Sequence, residues 1–146
     1  PVRLAARGCE PWIARHSVSM MMHVDTPTVV VADDDRGCRS TVQEALERVG
    51  FRTVPAGTGR EAIDVILHSV VHLGVFDVHM PEMNGLDAIR FLRREEIWVP
   101  VIIMTSDLSS DTHERALRVG AVALVAKPVD LTVIRDTARR ALEGLN

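Results

Sequence analysis

Five short apolar runs recur between residues 28 and 126, and a helical pattern fills every gap between them. The runs lie at 28–32, 51–55, 73–77, 99–105 and 121–126. Valine and isoleucine dominate most of them, with little polar alternation, as expected of strands covered on both faces. In the first helical pattern Cys38, Val42, Ala45, Leu46 and Val49 share one face, and Gly50 stops it. The second opens with Thr58 and Glu61 in capping-box spacing and turns Ala62, Ile63, Ile66 and Leu67 inward. A third runs over about 86–94 and a fourth over about 111–119, ended by Gly120. The fifth follows Asp130, an N-cap residue, with Val133, Ile134, Thr137, Ala138, Ala141 and Leu142 on its inner face. Five β-α units in unbroken succession predict an α/β fold, a doubly wound parallel sheet with helices on both faces. Ligands of such sheets bind outside the carboxyl ends of the strands, near the point where strand order reverses.

The residues at those ends are chemically unusual. Lys127 is the only lysine among seventeen basic residues, and it closes the last apolar run, directly before Pro128. A buried ammonium without an anion is costly or gives up its charge. Two acidic places can face it: Asp33-Asp34-Asp35 after the first run, and Asp77 at the end of the third. Three consecutive aspartates repel one another unless a cation joins them. Asp35 reads best as the cap of the first helix. Asp33 and Asp34 read better as hard oxygen ligands for Mg²⁺, which takes one or two carboxylates and keeps several waters. Asp77 precedes a tight loop fixed by Pro81 and Gly85, so it is either a turn residue or a nucleophile open to the cleft. Thr105 ends the fourth run. Its hydroxyl is either a local turn device or a ligand for a phosphoryl oxygen, and Lys127 supplies charge for another.

A chain of 146 residues with 47% apolar and 25% charged composition fits one domain with a real core. The formal charge of −3 comes without a basic stripe, which argues against direct nucleic-acid binding. Cys9 and Cys38 do not suggest a disulfide framework, and no apolar stretch approaches membrane-spanning length, so a cytoplasmic setting is expected. Residues 1–27 lack periodicity and read as a disordered extension ahead of a domain over 28–146. His68 and His72, four apart but with no third ligand, read as surface residues. Trp98 is expected to pack at the entry to the fourth strand.

The runs VVVADDD, GVFDVHMPEMNG, VPVIIMTS and GAVALVAKP, in this order and spacing, resemble the receiver domain of two-component response regulators over about residues 28–146. The resemblance implies a flavodoxin-like (βα)5 fold with strand order 2-1-3-4-5. It implies a signalling switch, not a turnover enzyme, in which Asp77 accepts a phosphoryl group from a sensor histidine kinase or phosphotransfer protein. Asp33, Asp34, Asp77 and the backbone carbonyl of His79 would hold Mg²⁺, Asp34 directly and Asp33 through water. Thr105 and Lys127 would bind the phosphoryl oxygens. The family's partner face, the fourth helix, fifth strand and fifth helix, would serve a homodimer or an output partner.

Two departures from the family pattern bear on read-out. Leu124 stands where an aromatic switch residue is usual, and Val129 replaces the aromatic after Lys-Pro. Val122 and Ala123 also replace a common acidic pair. A rival reading is a haloacid-dehalogenase-type phosphatase, with Asp33 as nucleophile and Asp35 as the second acid. That family needs a late acidic pair, and residues 128–146 offer only Asp130, Asp136 and Glu143, all apart. A degenerate receiver, acting as a binding module without phosphorylation, would require a missing Asp, Thr or Lys; none is missing.

Overall fold

The computed structural model describes residues 26–144. Five strands and five helices alternate: β1 Thr28–Ala32, α1 Arg36–Glu47, β2 Arg52–Ala56, α2 Gly59–His68, β3 Leu73–Asp77, α3 Gly85–Arg94, β4 Val101–Thr105, α4 Ser110–Val119, β5 Ala123–Ala126 and α5 Leu131–Glu143. All sheet pairings are parallel, in the order β2-β1-β3-β4-β5. This is the expected doubly wound sheet and the expected strand order. The order reverses between β1 and β3, so their carboxyl ends flank the crevice where Asp33, Asp34 and Asp77 lie.

The unalternated runs are explained by a core on each side of the sheet. Val29 and Val31 of β1, Val75 of β3 and Ile102 and Met104 of β4 pack with Val42 and Leu46 of α1 and Ile134 and Ala138 of α5. Val30, Ala32, Phe76, Val101 and Ile103 face the other way, against Ile63 of α2, Leu86, Ile89 and Leu92 of α3 and Ala116 of α4. Successive side chains point to opposite faces, so a strand covered twice must be apolar at every position. β1, β3 and β4 obey this except at their ends, where Thr28, Asp77 and Thr105 are polar and buried.

Local signals in the sequence set the element ends. Asp35 caps α1 through the Cys38 amide at 3.1 Å, and Asp130 caps α5 through the amides of Thr132 and Val133. Thr58 accepts from the Glu61 amide at 3.0 Å, while the Glu61 carboxylate accepts from the Gly57 amide, one residue earlier than a reciprocal capping box would have it.

Several expectations shift. β2 begins at Arg52, β4 at Val101 and β5 only at Ala123, so Phe51, Val99, Pro100, Ala121 and Val122 lie outside the strands. α3 starts one residue early, at Gly85, with Asn84 as its cap; α4 starts at Ser110 behind the cap Ser109. His72 is not the surface residue expected. It follows the end of α2, is half-buried, and its Nδ1 accepts from the Thr28 amide at 2.9 Å. Trp98 is 48% exposed, with the Arg93 guanidinium 5.1 Å above its ring. Arg93 also donates to the carbonyls of Ile97, Val99 and Gly120, so the arginine, not the tryptophan, ties the entry of β4 to α3. The extension expected over residues 1–27 lies almost wholly outside the described residues.

Candidate functional site

Carboxylate oxygens of Asp33, Asp34 and Asp77 lie within 4.8 Å of one another, the one such grouping of potential metal ligands among the described residues. Asp33 is fully buried, Asp77 is 5% exposed, and Asp34 faces solvent. The Lys127 ammonium stands 3.1 Å from Asp33 Oδ2 and 3.4 Å from Asp77 Oδ1. Three strand ends thus deliver one cation and two buried anions to one point, with a third anion at the rim. The Lys127 amide bonds the Thr105 carbonyl at 2.9 Å, which fixes the end of β5 beside that of β4. The Lys127–Pro128 bond is cis.

The charges are not in balance. Burial by itself raises the Asp33 carboxyl, but hydrogen bonds from the Cys38 thiol, the Asp35 amide and Lys127, with the ammonium charge, hold it below its usual range. Asp77 goes the other way. Burial and the neighbouring Asp33 charge raise it, Lys127 opposes them, and Asp34 adds to the rise. Burial would lower Lys127, but the hydrogen bond and charge of Asp33, together with Asp77, raise it. Three carboxylates against one ammonium leave a surplus of negative charge in a partly buried, all-oxygen donor set. Such a set fits a hard divalent cation such as Mg²⁺.

Thr105 is fully buried, and its hydroxyl accepts from the Asp107 amide at 2.9 Å. His79 lies in the β3–α3 loop with its side chain exposed. Gly85 turns this loop into α3. A Cβ there would collide with the carbonyl oxygen of Asp77, and the Gly85 amide bonds the Val78 carbonyl at 3.0 Å. Asp33, Asp34, Asp77 and Lys127 are brought together as expected; Asp35 turns away to cap α1.

Two contributors went unread in the sequence. Arg39, one turn into α1, donates from Nη1 to the Asp33 carbonyl at 2.6 Å and so holds the chain between the acidic residues and β1. Cys38, beside it, has its thiol pushed up to about 12 by burial and by Asp33. Their spacing from Asp33 puts them over the acidic residues once α1 folds back, but many α1 residues share such spacing. No local signal separates these two.

A family model described as the response regulator receiver domain matches residues 29–139. Among curated proteins, the chain is 34% identical over 115 residues to the regulatory protein AtoC of Escherichia coli, covering 79% of this chain and 25% of that protein. It is 28% identical over 114 residues to sporulation initiation phosphotransferase F of Bacillus subtilis, covering 78% of this chain and 92% of that one. The chain therefore spans about a quarter of the length of AtoC and nearly all of the sporulation protein. Among solved structures, a Francisella response regulator receiver domain superposes with a TM-score of 0.79 at 26% identity, covering 83% of this chain and all of that one. The chemotaxis protein CheY4 of Vibrio cholerae follows with a TM-score of 0.76 at 25% identity, covering 81% and 100%.

Proposed function

We propose that this chain, which belongs to the response regulator receiver family, is a switch set by a phosphoryl group on Asp77. The supporting observation is the joint placement of Asp77, two further carboxylates and the single lysine at adjoining strand ends. Of the two buried carboxylates Asp77 is the less enclosed, 5% exposed, with Oδ1 in an ion pair with Lys127 at 3.4 Å. Asp33 is ill suited to be the nucleophile of a phosphatase, since it is fully buried with Oδ1 bonded to the Asp35 amide and Oδ2 to Lys127.

In the proposed transfer an Asp77 oxygen attacks the phosphorus of a phosphohistidine on a sensor kinase or phosphotransfer protein. The O–P bond forms as the P–N bond breaks; the imidazole leaves with the electron pair and takes up a proton. Lys127 sits where it can turn from the Asp77 carboxylate to an incoming phosphoryl oxygen, and Thr105 offers a hydroxyl to another. Asp33, Asp34, Asp77 and the His79 carbonyl would hold Mg²⁺, which when bound neutralises charge between carboxylate and phosphoryl oxygens. The loaded domain would then present an altered α4–β5–α5 face to an output partner or a second copy, in the cytoplasm. Val122 and Leu117, exposed at that face, give it an apolar character.

Incubation with Mg²⁺ and acetyl phosphate, followed by intact-protein mass spectrometry, tests the assignment. One phosphoryl group is expected on the wild type and none on Asp77→Asn. Equal labelling of both, or loss of label only in Asp33→Asn, would move the nucleophile elsewhere.

A further inference from the structure

Thr105 is not a free hydroxyl. Its Oγ1 accepts from the Asp107 amide at 2.9 Å and donates to the Asp107 carbonyl at 3.3 Å. The Asp107 side chain is held in turn, Oδ1 by the Ser109 amide at 3.0 Å and Oδ2 by the Thr112 hydroxyl at 2.6 Å. Thr112 is 4% exposed and lies in the first turn of α4. Hydrogen bonds therefore run unbroken from the last residue of β4 into α4.

We infer that the Asp107–Thr112 bond is a latch: it keeps the Thr105 hydroxyl engaged with the loop, and a phosphoryl group on Asp77 opens it by claiming that hydroxyl. The inference rests on the proposed role of Asp77 and names how that site would control α4. A hydroxyl has one proton, and if it goes to a phosphoryl oxygen it is withdrawn from the Asp107 carbonyl. A β-branched side chain changes partner by a discrete step between few rotamers, not by drift. That step also moves the acceptor of the Asp107 amide, so the loop must shift to pair that amide again. Such a shift carries the Asp107 carboxylate away from Thr112.

The plain alternative is that Asp107 and Thr112 merely finish the end of the helix. Ser109 already does so, accepting from the Thr112 amide at 3.3 Å. What the Asp107–Thr112 bond adds is a side-chain tie between the buried first turn of α4 and the residue that brackets the Thr105 hydroxyl. A contact made only in the unloaded state opposes loading, and its removal favours the loaded state.

The test uses beryllofluoride as a phosphoryl mimic at saturating Mg²⁺, with bound fluoride followed by fluorine NMR. Thr112→Val keeps the shape and deletes the hydroxyl, whereas Thr112→Ser keeps the hydroxyl. The valine variant is expected to bind beryllofluoride roughly threefold to tenfold more tightly than wild type, one hydrogen bond's worth. The serine variant should match wild type, and Mg²⁺ affinity should be the same in all three. Hydrogen exchange on the wild type needs no variant to fold: the Ser109 amide, held by the Asp107 carboxylate that the latch releases, should lose protection when beryllofluoride binds. Unchanged or weaker binding by a folded valine variant, or a Ser109 amide that stays protected, would overturn the latch and leave the Asp77 assignment standing. No bound beryllofluoride on the wild type would overturn both.

Discussion

Replacing Asp77 by asparagine should stabilise the metal-free protein while removing its function. With an effective dielectric of about 20, the Asp77–Lys127 attraction at 3.4 Å comes to about 5 kcal/mol. Repulsion from Asp33, within 4.8 Å, comes to at least about 3.5 kcal/mol on the same footing. Asp34 faces water, so its share is screened to roughly 1 kcal/mol. These Coulomb contributions nearly cancel. The desolvation of a carboxylate left 5% exposed then decides the sign, and it is worth several kcal/mol. An asparagine amide at the same place recovers only part of that, because it too needs partners. The expected gain is about 1–2 kcal/mol, or a few degrees in Tm for a domain of this size. Thermal unfolding in EDTA measures it. The pH dependence supplies a second check. The folded Asp77 pKa is raised, so its contribution is most favourable below the unfolded carboxylate value and is lost as pH rises through the folded one. The stability gap between variant and wild type should therefore be largest at neutral pH and close as the pH falls. Adding Mg²⁺ should raise the wild-type Tm more than that of the variant. A variant less stable than wild type in EDTA at neutral pH would refute this reasoning, because the lysine would then outweigh burial and repulsion together.

Other outcomes follow from the same geometry. Gly85→Ala should lower the unfolding free energy, read from urea denaturation, by about 3 kcal/mol or more, since its Cβ meets the Asp77 carbonyl and lies 3.3 Å from Ile103. Gly50→Ala, in open space at φ +100°, should cost only about 1–2 kcal/mol, and equal losses would contradict the packing argument. In a Cys9→Ser background, Cys38 should react with iodoacetamide at pH 8 roughly a hundredfold more slowly in the folded state than in urea, because burial and Asp33 keep its thiol protonated. Replacing His79 or Asp107 by alanine should change the decay rate of phosphorylated Asp77 more than Mg²⁺ affinity, read by loss of label and by metal titration; a metal-binding defect in His79→Ala would count against it. On beryllofluoride binding, NMR shifts should be large over 105–112 and small at Leu124, and an inward rotation of Leu124 would show that the signal leaves through β5 after all.

What could be read in advance follows from where each residue's signal comes from. β1, β3 and β4 were visible because burial on two faces demands an unbroken apolar run, and the polar residue that breaks each run is the one delivered to the cleft: Asp33, the residue after β1, then Asp77 and Thr105. The outer strands were harder to bound. β2 is an edge carrying Arg52 and Pro55, and β5, the other edge, has only Val125 buried, so apolar neighbours such as Phe51 and Val122 blurred their limits. Strand order came from resemblance, since five β-α units fit more than one winding. Arg39, Cys38 and the bond between Asp107 and Thr112 escaped notice for a further reason: each depends on how a helix start folds back over a strand end. That is a non-local distance set by the packing of α1 and α4.

The same contrast bears on how a signal would leave the site. Leu124 is half-buried and packs against the core on the α2–α4 side of the sheet. An aliphatic side chain there has no polar end to exchange between water and interior, so its packing energy gives it no reason to choose between two positions. Thr105 and Asp107 do have that reason. Each polar group in their hydrogen-bond chain must be bonded in either state, and regrouping exchanges one satisfied set for another at little net cost. On the proposed switch, the polar β4–α4 loop is therefore the element that would adopt two arrangements, and the apolar edge at Val122 and Leu124 would follow it.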